Sequence, residues 1–200
     1  VEHDEALRAA EDERARVEAR LRQALRDDRG LQPYIQPKLR LDDGAVVGGE
    51  LLARWNDPDL GWVSPGQFIP VAEQSGLIAE LGAWVLEQAV GLLAGWQARS
   101  DTQGAHLAVN VAAPELYDEA WAERVLHLLQ KHGLAAGLLE VEVTERVLSG
   151  PEDWVTVTNL RRIREAGVQV SVDDFGTGYS SLAYIHRLPI NRVKIDKRFV

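Results

Sequence analysis

Two textures divide this chain. From Val1 to Arg29 charged residues are dense, Gly and Pro are absent, and Leu7, Ala10, Val17 and Leu21 fall at helical spacing. A thin apolar seam of this period predicts a helix that is solvated over most of its surface. Two roles suit it: a plain linker (residues 1–29), or a signalling coil that couples the domain of residues 30–200 to an upstream sensor or to a second chain. From Leu31 onward, short β-type runs alternate with longer amphipathic runs. The strand-type runs are Leu31 to Gln36, Val46 to Ala53, His106 to Val111, Leu138 to Thr144, Val168 to Asp173 and Arg192 to Ile195. The helical runs are Pro65 to Glu73, Leu77 to Arg99, Pro114 to His132, Pro151 to Ala166 and Ser180 to His186, several opening at Pro or Ser and closing near Gly. Alternation of this kind predicts an α/β fold with a mainly parallel sheet, and repetition of the unit predicts a barrel.

Parallel strands covered on both faces should read as nearly continuous Val, Ile and Leu. Five of these six do not. Glu50 follows Gly48 and Gly49, Asn110 lies between Val109 and Val111, and Glu142 lies between Val141 and Val143. Asp173 and Asp174 follow Val170 and Val172, and Lys194 lies between Val193 and Ile195. Side chains alternate along a strand, so each polar group faces away from its apolar neighbours, toward the barrel interior. Most stand near the C-terminal ends of their strands, where barrel enzymes carry their chemistry.

Any one of these residues alone is as readily a satisfied core group as a functional one. Together, several carboxylates at one end of a barrel repel one another and are costly to desolvate unless cations compensate them. Oxygen-rich donors from Glu, Asp and Asn suit Mg²⁺ or Mn²⁺. The chain has no Cys and its five His are scattered, which leaves little for zinc. Lys194 is one of only four Lys among 22 basic residues, and it stands in a strand beside carboxylates. It is either a structural ion-pair partner or a cation that orients a nucleophilic water.

The bulk properties narrow the rest. Two hundred residues accommodate one domain and an appendage. A net charge of −9 argues against a broad nucleic-acid surface. No apolar run approaches the roughly 18 residues that a membrane span requires. Absence of Cys fits a reducing, cytoplasmic location. The sequence begins with Val1, so it is expected to be part of a longer polypeptide, whose other parts have room for a membrane anchor.

Seven segments then carry a resemblance in order: Tyr34-Ile-Gln-Pro37, Glu50-Leu-Leu-Ala-Arg54-Trp55, Phe68-Ile-Pro70, Asn110-Val111, Glu142-Val-Thr-Glu145, Asp173-Asp-Phe-Gly-Thr-Gly-Tyr-Ser-Ser181 and Lys194-Ile-Asp196. This series resembles the EAL domain family of cyclic di-GMP phosphodiesterases, with Glu-Leu-Leu in place of the name-giving Glu-Ala-Leu. The resemblance implies a TIM-like (β/α) barrel, here incomplete with about six of its eight strands, preceded by the N-terminal linker helix. It implies two Mg²⁺ or Mn²⁺ ions held by Glu50, Asn110, Glu142, Asp173 and Asp174, Lys194 on the attacking water, and Glu145 bracing the loop after the fifth predicted strand. Gln36, Arg54 and Asp196 resemble contacts to the nucleotide, Arg54 to phosphate and Asp196 to a guanine edge. The implied reaction opens cyclic di-GMP to linear pGpG. The implied partners are a second copy, as a homodimer, and an upstream sensory or diguanylate-cyclase-like domain. Two alternatives stay open on the residues: a receptor that binds the nucleotide without cleaving it, and an enolase-like barrel with a Lys base.

Overall fold

The computed structural model describes residues 2–144, 153–175, 189–195 and 198. Helix α1 (Glu2–Asp27) leads into strands β1 (Leu31–Leu39), β2 (Val46–Asp57) and β3 (Gly61–Val63). Helices α2 (Pro65–Ser75) and α3 (Ile78–Gln97) follow, then β4 (His106–Asn110), α4 (Ala113–Leu116), α5 (Trp121–Lys131), β5 (Leu139–Thr144), α6 (Asp153–Glu165), β6 (Gln169–Phe175) and β7 (Arg192–Ile195). The strands form one sheet in the order β1-β2-β4-β5-β6-β7, with β3 pairing the C-terminal end of β2. From β2 through β7 every successive pair along that path is parallel. This is a TIM-like α/β architecture, and among the described residues no pairing joins β1 to β7.

The sheet starts differently from the expected βα repeat. β1, β2 and β3 form an antiparallel meander. Only residues 40–45 separate β1 from β2, too few for the crossover that a parallel pair needs. The Arg40 N–H donates to the Ala45 carbonyl at 2.8 Å, and Gly44 turns with φ 70°. β3, which the sequence pattern does not reveal, folds back through a turn in which Asp57 Oδ1 accepts the Asp59 and Leu60 N–H groups at 2.9 and 3.0 Å. Gly48 serves close strand approach: a Cβ there would stand 2.2 Å from the His106 carbonyl oxygen.

The pleat sorts side chains as alternation predicts. Leu107, Val109, Leu139, Val141, Val143, Val170 and Val172 are buried in the core that the helices cover. Ala108, Asn110, Glu140, Glu142, Ser171 and Asp173 occupy the opposite face. One helix expected over Pro114 to His132 is two, α4 and α5. Asp118 breaks it: its side chain takes the Ala120 N–H at 2.9 Å, and Asn159 Nδ2 donates to the Leu116 and Asp118 carbonyls at 2.9 Å each. The helix expected at Ser180 to His186 lies outside the described residues.

The seam of α1 is split. Residues 7–16 are exposed, Leu7 at 55%, whereas Val17, Leu21 and Ala24 join the core and pack toward α2 and α3. Arg20 clasps the buried Asp57 through Nε at 3.0 and 3.1 Å, and Trp84 Nε1 donates to Asp28 Oδ1 at 2.9 Å. The core of the sheet domain therefore takes in residues from the C-terminal half of α1.

One expectation from hydropathy is corrected. α3 is long and apolar enough to cross a membrane by length and composition alone. Leu81, Val85, Ala89, Val90 and Leu93 place it instead as a helix of the buried core.

Candidate metal centre

The strands bring together the polar residues that interrupt their apolar pattern. Asn110 of β4 lies opposite Glu142 of β5, and Asp173 of β6 lies opposite Thr144, one register step further. Glu50 of β2 lies opposite Ala108 and so projects beside them. One oxygen each from Glu50, Glu142 and Asp173 falls within 4.8 Å of the others. Asn110 Nδ2 donates to Glu50 Oε1 at 2.8 Å, which leaves its Oδ1 as the amide donor for a cation.

Lys194 of β7 enters this cluster. Its ammonium donates to Asp173 Oδ2 at 2.9 Å, to Glu50 Oε2 at 3.2 Å and to Glu142 Oε2. Glu142 is fully buried. Desolvation pushes its carboxyl pKa up, against the pull of Lys194 and Lys38. Desolvation also acts on Lys194 in the opposite sense, but its hydrogen bonds to Glu142 and Asp173 outweigh it and hold the amine above its usual range.

A second charged layer lies directly beneath. Glu140, two residues before Glu142 on the same face, is 1% exposed. Lys38 of β1 bridges the layers, donating to Glu142 Oε1 at 2.7 Å and to Glu140 Oε2 at 3.2 Å. Arg192 Nη1 meets the same Glu140 oxygen at 3.0 Å, and His106 Nε2 lies 3.7 Å away. Burial pushes the Glu140 pKa up, yet the Lys38 and Arg192 charges prevail and hold it below the ordinary value. Burial lowers the pKa of His106. Lys38, Glu140 and Arg192 were not among the site residues expected from sequence. Their signal was present: Glu-Val-Glu on β5 and Gln-Pro-Lys on β1 both carry period-two polar residues onto the interior face.

The donor set fits a hard divalent cation. Four carboxylates (Glu50, Glu140, Glu142, Asp173) face three cations (Lys38, Arg192, Lys194), which leaves one unit of negative charge among them. All donors are oxygens or an amide, and no thiolate is available.

The other expected residues distribute as follows. Gln36, opposite Glu50 on β1, lines a cavity of about 410 Å³ with Lys38, Glu50, Glu140, Arg192 and Lys194. Arg54 lines a separate cleft of about 490 Å³ with Leu52, Asn110, Glu142 and Thr144. The backbone of Asp174 belongs to β6, and its side chain lies outside the described residues, as do Glu145 and Asp196.

A family model for the EAL domain matches residues 18–200. The chain belongs to the EAL domain family. Its match begins one residue after Val17, where α1 becomes buried. This EAL domain is 44% identical over 192 residues to cyclic di-GMP phosphodiesterase NbdA of Pseudomonas aeruginosa, a match over 92% of this chain and 23% of NbdA. It is 39% identical over 184 residues to the bifunctional diguanylate cyclase/cyclic di-GMP phosphodiesterase MucR of the same organism, over 90% of this chain and 26% of MucR. The chain thus spans about a quarter of the length of these curated relatives. Its backbone superimposes on the PaMucR phosphodiesterase in complex with c-di-GMP with a TM-score of 0.84 at 38% identity, covering 92% of this chain and 73% of that one.

Proposed function

We propose that this EAL domain hydrolyses cyclic di-GMP to the linear dinucleotide pGpG in a divalent-metal-dependent reaction. The observation that carries this is the meeting of Glu50, Glu142 and Asp173, from three different strands, within 4.8 Å, with Asn110 bonded to the first of them. Side chains from β2, β5 and β6 converge only because the parallel strands hold one register. The names of NbdA and MucR and the PaMucR nucleotide complex support the substrate.

Glu50, Asn110, Glu142 and Asp173 would hold one Mg²⁺ or Mn²⁺, and Asp174 would contribute to a second. When bound, such ions supply Lewis acidity at phosphate and an activated water. The chain's own residues do the rest. Arg54, at the edge of the cleft, presents a guanidinium to phosphate oxygens in the fork geometry that suits them. Lys194, kept protonated by its carboxylate partners, orients the attacking water and offsets negative charge that builds on the phosphate. Burial of Glu142 and its ties to Lys38 and Lys194 keep its carboxylate in one pose, which lowers the reorganisation needed during reaction. Gln36 and Asp196 would contact the nucleotide, and Glu145 would brace the loop after β6. MucR, as a cyclase and phosphodiesterase in one chain, supports an upstream cyclase-like or sensory domain in the parent protein, where α1 would be the coupling element.

The test is turnover of cyclic di-GMP with Mg²⁺ or Mn²⁺, followed chromatographically as linear product, with and without EDTA. Glu50→Gln should abolish product while the far-ultraviolet spectrum stays native. Nucleotide binding by the unsubstituted protein without linear product would replace hydrolysis by a receptor function.

A further inference from the structure

Beside the carboxylate cluster, the antiparallel meander carries an aromatic and basic shelf that no expected site residue explains except Arg54. Trp62 of β3 is 60% exposed and Tyr34 of β1 is 48% exposed. Their rings meet edge to face, with centroids 6.4 Å apart and planes at 90°. The Arg54 guanidinium stands over the Tyr34 ring, 5.9 Å from its centroid. Large aromatic rings left in water forgo their principal gain on folding, so a paired and exposed set next to Arg54 at the edge of a cleft is unusual.

Register places this shelf on the face that carries the site. Tyr34 and Gln36 alternate onto one face of β1, and Glu50, Leu52 and Arg54 onto the facing side of β2, with Tyr34 opposite Leu52 and Gln36 opposite Glu50. Tyr34 therefore stands two residues, or about 7 Å, along the strand from the Glu50 position. The Trp62 ring lies one ring contact beyond, within reach of the far half of a dinucleotide whose phosphate sits at the carboxylates. Arg54 links the two regions, since it lines the cleft of Asn110 and Glu142 and also caps Tyr34.

We propose that Trp62 is a nucleobase-stacking residue: its exposed indole receives a purine of the bound nucleotide, with Tyr34 fixing the ring and Arg54 tying the stack to the adjoining phosphate. The chemistry is matched in both halves. A purine offers a π-face to Trp, and its phosphate offers anionic oxygens to Arg. This deepens the proposed function, because the ligand is that of the same site. Tyr34 acts as a positioning residue: its ring meets Trp62 edge to face and Arg54 covers one of its faces.

Equilibrium binding of cyclic di-GMP by the protein and its W62A, W62F and Y34A variants tests it, since Kd does not depend on turnover. Removing one stacked ring is expected to raise Kd about 5- to 100-fold. W62F should recover most of the loss, and Y34A should fall between them. Melting temperature should stay the same in W62A, because the side chain is largely exposed. A Kd for W62A equal to that of the unsubstituted protein, or no restoration by W62F, overturns the assignment. So does a complete failure of the unsubstituted protein to bind. Intact binding without hydrolysis, weakened by W62A, would retain Trp62 as the stacking residue and count against the proposed hydrolysis alone.

Discussion

Two buried glutamates live under opposite rules. Glu140, 1% exposed on β5, is held below its ordinary pKa because Lys38 and Arg192 reach its carboxylate. Glu115, 5% exposed on α4, accepts the Ala112 N–H at 2.9 Å, and among the described residues it makes no ion pair. Desolvation pushes its pKa up to about 7. The backing of Glu115 is tight as well: a Cβ at Gly82 would stand 1.7 Å from its Oε2. Burial alone thus sets only the direction of the penalty, and the cations that the fold delivers decide which form of the acid persists. Glu142 lies between these cases. It has two lysines, but complete burial, helped by the neighbouring Glu50 charge, keeps its pKa raised.

The comparison breaks most visibly at Glu142. Glu142→Gln keeps the shape and removes the charge, and turnover should fall by at least about 100-fold. Even groups that merely support metal ligands carry losses of 10- to 100-fold. Thermal melting of the same variant should fall only slightly, since Lys194 keeps Glu50 and Asp173 as partners and Lys38 keeps Glu140. Turnover within a few-fold of the unsubstituted protein would remove Glu142 from the reaction.

Lys38→Met probes the same layer from the cation side. It strands Glu140 and Glu142 against one fewer positive charge, and urea unfolding at pH 7 should show a loss of about 3 to 4 kcal/mol. Lys38→Met combined with Glu142→Gln should recover part of that loss, the sign of direct coupling. Additive losses would mean that Lys38 supports the fold independently of Glu142.

Glu115 gives the pH signature. Its folded pKa of about 7 exceeds the ordinary 4.5. Below pH 4.5 both states are protonated and nothing is lost. Between pH 4.5 and 7 the unfolded chain ionises first, so stability falls as pH rises, by about 3 kcal/mol in total above pH 7. Glu115→Gln should be the more stable protein at pH 8 and about equal to the unsubstituted one near pH 4.5. Parallel stability curves for the two proteins across that range would show that Glu115 is ionised and satisfied.

The smallest expected effect is at Arg20. Arg20 and Asp57 form a pair in which burial pushes the acid up, and the Arg20 hydrogen bond together with the Asp59 and Leu60 backbone donors brings it below its ordinary value. Arg20→Ala should lower stability by less than Lys38→Met, because the Asp57 carboxylate keeps two backbone donors when the guanidinium is gone. A loss as large as that of Lys38→Met would place the end of α1 among the main supports of the sheet.

Much of this molecule is legible in its sequence. Short β-type runs mark the strands, and a polar residue breaking an apolar run marks Glu50, Asn110, Glu142, Asp173 and Lys194. Those signals are local, since a side-chain period of two needs only the residue's own strand. Three things were not local. The antiparallel start of the sheet came from a loop too short to cross over, together with β3, whose three residues are too few to show a period. The burial of Val17, Leu21 and Ala24 depends on what α1 meets, and a thin apolar seam looks the same whether it lies in solvent or on a domain. The charges on Glu140 and Glu115 were unreadable for the same reason: both are acids next to apolar residues, and only tertiary contact brought Lys38 and Arg192 to one of them and a lone backbone N–H to the other.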